Sequence, residues 1–246
     1  MTPTLNARGL ELKANLQAVN NQIVAACQSC GRDPSLVTLV AVSKTRPAED
    51  VQQALLGGAR HFGENYAQEL RDKADLLITE RAIQWHFIGA LQRNKVKYVV
   101  GRAKLVHDVD NLALAEEISK RSMAAPTPIL LGVNIGQEPQ KSGWMPDQVL
   151  EVLPKIIALP GVQLQGLMCI PPARENPDDV APFFAELADI AARGRAAGFA
   201  LDTLSMGMSH DFAVAIRHGA TLVRVGTAIF GQRSNNPPVA ADAQAG

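Results

Sequence analysis

Between residues 37 and 226, short β-branched or mixed apolar runs alternate with segments of helical periodicity, and this alternation restricts the fold more than any other feature of the chain. Runs at 37–43, 60–63, 84–89, 104–108, 129–135, 162–169, 203–206 and 222–226 read as strands. The second of them is short and carries His61. A helix between each pair of strands demands parallel pairing with right-handed crossovers, and eight such units favour a closed (β/α)8 TIM-type barrel over an open doubly wound sheet. Helix-start signals sit between the strands. Pro47 is placed in a first turn, and Asn176-Pro177-Asp178-Asp179 supplies a cap, a first position and an acidic first turn. Val180, Phe183, Phe184, Leu187, Ile190 and Ala191 then form one apolar face. Ahead of the first strand, Leu10, Leu12, Leu16, Val19, Ile23 and Val24 recur at three- and four-residue steps, an extra N-terminal helix over 5–30 that ends at Gly31. The expectation is one barrel domain over 1–233, followed by a disordered tail at 234–246.

Composition narrows the function classes. Lys and Arg number 24 and Asp and Glu number 24, so no net field attracts nucleic acid or an anionic membrane surface. No stretch approaches the roughly 18 apolar residues of a membrane span, and Met1-Thr2-Pro3-Thr4 lacks the features of a secretion signal. A soluble, cytoplasmic protein with a small-molecule ligand is expected. Cys27, Cys30 and Cys169 are too few and odd in number for a disulfide framework. Cys27 and Cys30 form a C-x-x-C, yet no second pair or nearby His completes a metal shell. They read as small residues at a helix end, and no metal is expected.

In a barrel the site lies at the carboxyl ends of the strands. Lys44 closes the run Leu39-Val40-Ala41-Val42-Ser43 there. A primary amine in a water-poor pocket near other cations loses its proton readily and then condenses with an aldehyde. Ser209 precedes the helical pattern Phe212, Ala213, Ile216, and Gly226-Thr227 opens a final short helix. The loops after strands seven and eight therefore offer a phosphate cradle across the mouth from Lys44. An imine-forming amine and a phosphate site on one rim point to pyridoxal 5′-phosphate (PLP). His86 reads as a hydrogen-bonded core or rim histidine, Asp110 as a helix cap and not half of a carboxylate pair with Asp108, and Cys169 as a small buried thiol. The segment Lys141-Ser142-Gly143-Trp144 reads as a lid.

Seven motifs in order carry a resemblance. They are Ala41-Val42-Ser43-Lys44-Thr45, His61-Phe62-Gly63-Glu64-Asn65-Tyr66, Trp85-His86-Phe87-Ile88-Gly89, Lys141-Ser142-Gly143, Gly166-Leu167-Met168, Leu204-Ser205-Met206-Gly207-Met208-Ser209, and the stretch from Val223 to Gly231. Together they resemble the pyridoxal phosphate homeostasis protein family from about Leu10 to Gly231. The resemblance implies a barrel like the N-terminal domain of alanine racemase, with PLP held as a Schiff base on Lys44. It further implies that Ser209, Gly226 and Thr227 hold the phosphate, that Arg224 faces the pyridine nitrogen, and that Asn65 and Met168 border the ring. The implied role is non-catalytic intracellular vitamin B6 homeostasis, with effects on amino-acid and keto-acid balance, as a monomer that binds PLP and other B6 vitamers and serves PLP-dependent apo-enzymes. The competing expectation is an amino-acid racemase, which in the related fold uses a lysine and a tyrosine from an additional domain. The tyrosines here, Tyr66 and Tyr98, both fall in the barrel portion.

Overall fold

The computed structural model describes residues 4–122 and 124–232. Helix α1 (Ala7–Ser29) leads into β1 (Thr38–Val42), α2 (Ala48–Leu56), β2 (His61–Glu64), α3 (Ala67–Leu76), β3 (Gln84–Phe87), α4 (Val96–Val99), β4 (Leu105–Val109) and α5 (Leu112–Arg121). The second half runs β5 (Thr127–Val133), α6 (Val149–Ile157), β6 (Val162–Cys169), α7 (Ala181–Ala196), β7 (Thr203–Met208), α8 (Phe212–Arg217), β8 (Leu222–Val225) and α9 (Thr227–Phe230). Every strand pairs in parallel with its sequence neighbours, and β1 pairs with β8 to close the barrel. The short second strand is genuine, since it is laddered on both sides.

The strand runs look continuously apolar because both faces are covered. One face of each strand points into the barrel, where Val40, Leu105, Leu130, Met168 and Leu222 form a small inner cluster. The opposite face, with Ala41, Phe62, Val106, Leu131, Leu167 and Val223, joins a larger core beneath the helices. On α7, Phe184, Leu187, Ile190 and Ala191 are buried, as the apolar stripe requires.

Some boundaries differ from expectation. Pro47 does not lie in the first turn of α2. Its ψ of 160° is extended, so it is the cap and Ala48 is the first helical residue. Asn176 does cap, accepting from Asp178 N, but it opens a short 3-10 turn, Pro177–Val180, that then runs into α7. Strand β5 starts at Thr127, ahead of the expected 129, and β7 runs on to Met208. The expected tail at 234–246 lies outside the described residues.

Helix α1 packs on α2, α8 and α9. Arg8 Nη2 donates to Phe230 O at 2.8 Å and Asn15 Nδ2 to Ile229 O at 2.8 Å, so α1 satisfies the carbonyls at the end of α9, which a four-residue helix cannot satisfy itself. The helix stops with Cys30 as its cap and Gly31 at φ +69°. Cys27 is buried and Cys30 exposed, and both are free thiols. Among the described residues no helix is long and apolar enough to cross a membrane.

Leu12 is fully buried on α1. Its replacement by Ala should lower unfolding free energy by about 2–5 kcal/mol in urea titration, because it leaves a cavity where α1 packs on its neighbouring helices. A loss below about 1 kcal/mol would mean that α1 is only loosely attached.

Candidate active site at the barrel mouth

Val40 and Val42 share the inward side of β1, and half-buried Lys44 follows two residues past the strand's end, at the carboxyl-terminal mouth. Its neighbours are gripped from behind. Ser43 Oγ donates to Glu64 Oε1 at 2.6 Å. Lys73 Nζ, buried on α3, donates to Ser43 O at 2.8 Å, Glu64 Oε1 at 2.7 Å and Glu69 Oε1 at 2.8 Å. Thr45 N donates to Glu69 Oε1 at 2.6 Å, and Thr45 sits at φ +65°, a left-handed conformation costly for a β-branched residue. Helix α3 thus holds the backbone on both sides of Lys44. Burial pushes the Glu64 carboxyl up to about 7 against the pull of Lys73.

The loops after β7 and β8 lie beside the end of β1 and not across the mouth from it, because β8 pairs with β1. There Ser209 Oγ accepts from Gly226 N at 3.4 Å and from Thr227 Oγ1 at 3.3 Å. Ser209 does not cap α8; that position belongs to Asp211. Gly207, at φ +91°, lies within β7 where its register with β8 shifts, just ahead of the turn that carries Ser209, and a Cβ there would lie 2.9 Å from Phe212 Cα. A Cβ on Gly226 would lie 3.4 Å from Val42 Cβ, so the loop after β8 sits directly on β1. Arg224 is buried. Its Nη1 donates to Ser205 Oγ at 2.6 Å and its Nη2 to Cys169 O at 3.0 Å.

Asn65 and Met168 are brought together in a cavity of about 350 Å³ that Asp108, Asn134, Lys141 and Ser142 also line. Lys44, Ser209, Arg224, Gly226 and Thr227 do not line this cavity; they occupy the neighbouring ends of β1, β7 and β8. Gly89 lets the loops after β2 and β3 close together, since a Cβ there would lie 2.9 Å from Asn65 Cα. The sequence puts Asp108 at the end of the fourth strand and gives it no role, yet it lines the cavity. The β4–β5 register shifts between Val106 and Val109, and that irregularity turns Asp108 toward the cavity. Burial, then Asp110, pushes it up to about 7, with Arg224 opposing.

Asp110 is not the cap of α5. Asn111 is, because its side chain occupies the extended position just before the helix and accepts from Leu114 N at 2.9 Å, while Asp110 Oδ1 accepts from Asn111 Nδ2. His86 is a buried core histidine, as expected. The Cys169 thiol joins the layer beneath the helices and is pushed up to about 12 by burial, so its carbonyl is the part that serves the site. In the 141–144 segment Lys141 and Ser142 cover one edge of the cavity, and Trp144 anchors the segment by donating its indole N–H to Val109 O at 2.9 Å.

Residues 14–234 match the family described as alanine racemase, N-terminal domain. A pyridoxal phosphate homeostasis protein of Aquifex aeolicus is 42% identical over 221 residues, covering 89% of this chain and 96% of that protein. The chain belongs to the pyridoxal phosphate homeostasis protein family. Its relative in Pseudomonas aeruginosa, of the same name, is 41% identical over 91% of this chain and 96% of that one. Among solved structures, PipY of Synechococcus elongatus with PLP bound is 34% identical with a TM-score of 0.79, covering 89% of this chain and all of that one.

Within this family member, the Lys73 network yields a signed pH dependence. A carboxyl whose pKa rises on folding contributes stability that is present below the unfolded value of about 4.5 and lost as pH rises through about 7. Lys73→Met removes the cation that offsets the charged form. It should cost about 3–5 kcal/mol at a pH near 8, where Glu64 is left charged and unpaired, and much less near pH 5, where Glu64 takes up a proton. Equal losses at both pH values in denaturant titrations would contradict this account.

Proposed function

We propose that the chain binds PLP at the carboxyl-terminal mouth of the barrel, covalently through Lys44, and acts as a cytoplasmic, monomeric, non-catalytic store that supplies PLP-dependent apo-enzymes. One barrel unit with its N-terminal helix carries the whole site. What supports the proposal is that Lys44, just past β1, shares one rim with the hydrogen-bonded Ser209, Gly226 and Thr227 past β7 and β8 and with a buried arginine on β8. When bound, PLP supplies an aldehyde that condenses with a lysine amine, releasing water.

The donor set fits such a group. Gly226 N and the hydroxyls of Ser209 and Thr227 can turn from one another to a phosphate, which is a stronger acceptor than a hydroxyl. Asn65 and Met168 border the adjoining cavity, where a flat ring has room. The left-handed Thr45 and its backbone bond to Glu69 hold the chain next to Lys44 in place at the rim.

Arg224 supports a non-catalytic role. A guanidinium has donors and no acceptor, so a ring nitrogen facing it accepts a hydrogen bond and stays unprotonated, which weakens the ring as an electron sink. Racemisation also needs an acid–base group on each side of the reacting carbon. Tyr66 is 57% exposed at the start of α3, and Tyr98 stacks beneath Arg71 at 4.7 Å; neither lines the cavity.

The purified protein should show a visible absorption band that borohydride abolishes, with peptide mass mapping placing the reduced adduct on Lys44. Lys44→Ala should lose the band and bind PLP at least about tenfold more weakly, while the phosphate contacts keep residual affinity. An adduct on another lysine, or interconversion of L- and D-alanine well above the rate with free PLP, would overturn the proposal.

A further inference from the structure

Parallel barrels are ordinarily filled by branched apolar side chains. In this barrel a single file of polar groups crosses the interior beside the inner apolar cluster. His61 Nδ1 lies 2.9 Å from His86 Nε2, His86 Nδ1 lies 2.8 Å from His107 Nε2, and His107 Nδ1 lies 2.8 Å from Ser205 Oγ. Ser205 Oγ accepts from Arg224 Nη1 at 2.6 Å. The file therefore links β2, β3, β4, β7 and β8 in turn. His86, His107, Ser205 and Arg224 are all buried, whereas His61 is half-buried and borders a cavity at the amino-terminal end beside Lys104 and Asp202.

The direction of these bonds follows from one fixed end. A guanidinium only donates, so Ser205 Oγ must accept from Arg224. The hydroxyl proton of Ser205, buried, then needs an acceptor, and among the described residues its remaining partner is His107 Nδ1. His107 with Nδ1 accepting carries its proton on Nε2 and donates to His86 Nδ1. His86 by the same logic donates from Nε2 to His61 Nδ1, which leaves His61 Nε2–H facing the amino-terminal end.

We propose that Ser205 and His107 are positioning residues that hold Arg224 in its orientation toward the cofactor ring, and that His86 and His61 fix their tautomers from the opposite end of the barrel. The inference rests on the assignment of Arg224 to the ring nitrogen. Among the described residues Arg224 has two hydrogen-bond acceptors, Ser205 Oγ and Cys169 O, and a planar fork held at two points cannot swing out of the mouth. The file must stay neutral to do this, since a charged His107 would repel Arg224. Burial lowers all three histidine pKa values, that of His86 to about 3, with Lys104 acting in the same direction on His61 and His86 and Arg224 on His107. Asp108, Asp211 and Cys169 are the groups that face Arg224 from the other elements.

Two experiments test the proposal. In the wild-type apoprotein, ring ¹⁵N NMR of histidine-labelled chain should find three neutral imidazoles with the proton on Nε2 between about pH 6 and 8. Nδ1-protonated or charged rings at His86 or His107 would overturn the polarity. In the PLP-loaded protein, Ser205→Ala and His107→Phe should keep the Lys44 adduct, weaken PLP about tenfold and shift the pH midpoint of the visible band, and Ser205→Thr should restore both. Wild-type affinity and midpoint in both Ser205→Ala and His107→Phe would overturn the positioning role. If the adduct maps away from Lys44 in wild type, the cofactor assignment fails on its own and the NMR result still decides the direction of the file.

Discussion

Closure of the sheet by β1 on β8 is the constraint from which the site follows. The pairing sets Val40 opposite Arg224 and Ala41 opposite Val225, so one strand carries Lys44 just beyond its end and its neighbour carries Gly226 and Thr227. Residues nearly the whole chain apart become neighbours through ladder hydrogen bonds alone. A parallel sheet left open at this edge would separate amine and cradle by its full width. A one-residue slip in the pairing would turn Arg224 and Lys44 out of the barrel.

The closed sheet supplies position, and the helices supply rigidity. Lys73 on α3 meets three acceptors at once and so ties Ser43 and Glu69 together across the strained Thr45. Such a buried cluster of charge is poor as a source of net stability, because desolvation offsets most of the attraction. Its value lies in geometry: it holds a lysine-bearing loop in a conformation that a β-branched residue would otherwise leave. Helix α1 does the corresponding service for the cradle by satisfying the carbonyl end of α9. Both halves of the rim are therefore braced from outside the mouth.

Much of this was legible in the amino-acid sequence because it depends on local patterns. Eight strands announce themselves through apolar runs between helical periods, and Lys44, Ser209, Arg224 and Gly226-Thr227 fall at strand ends by simple counting. What escaped depends on register. Asp108 enters the cavity through an irregularity in the β4–β5 ladder that no pattern of residues marks. Asp110 and Asn111 are both good caps, and only the backbone decides between them in favour of Asn111. His61, His86 and His107 are far apart in the chain, and their alignment appears only when three strands are laid side by side. His86 could be read as a core residue from its apolar neighbours, yet its partners could not.

The proposed site joins Lys44 as a covalent anchor, the Ser209, Gly226 and Thr227 group as an anion cradle and the buried Arg224 guanidinium, in a family whose relatives are pyridoxal phosphate homeostasis proteins. The most direct measurement is a crystal structure of the protein grown with PLP. The account predicts continuous density from Lys44 Nζ to the ligand, with the phosphate between Ser209 Oγ and the amides of Gly226 and Thr227, and the ring nitrogen at Arg224. Density for the ligand away from this rim, or a phosphate on the Lys141 side of the cavity with Lys44 unmodified, would contradict it.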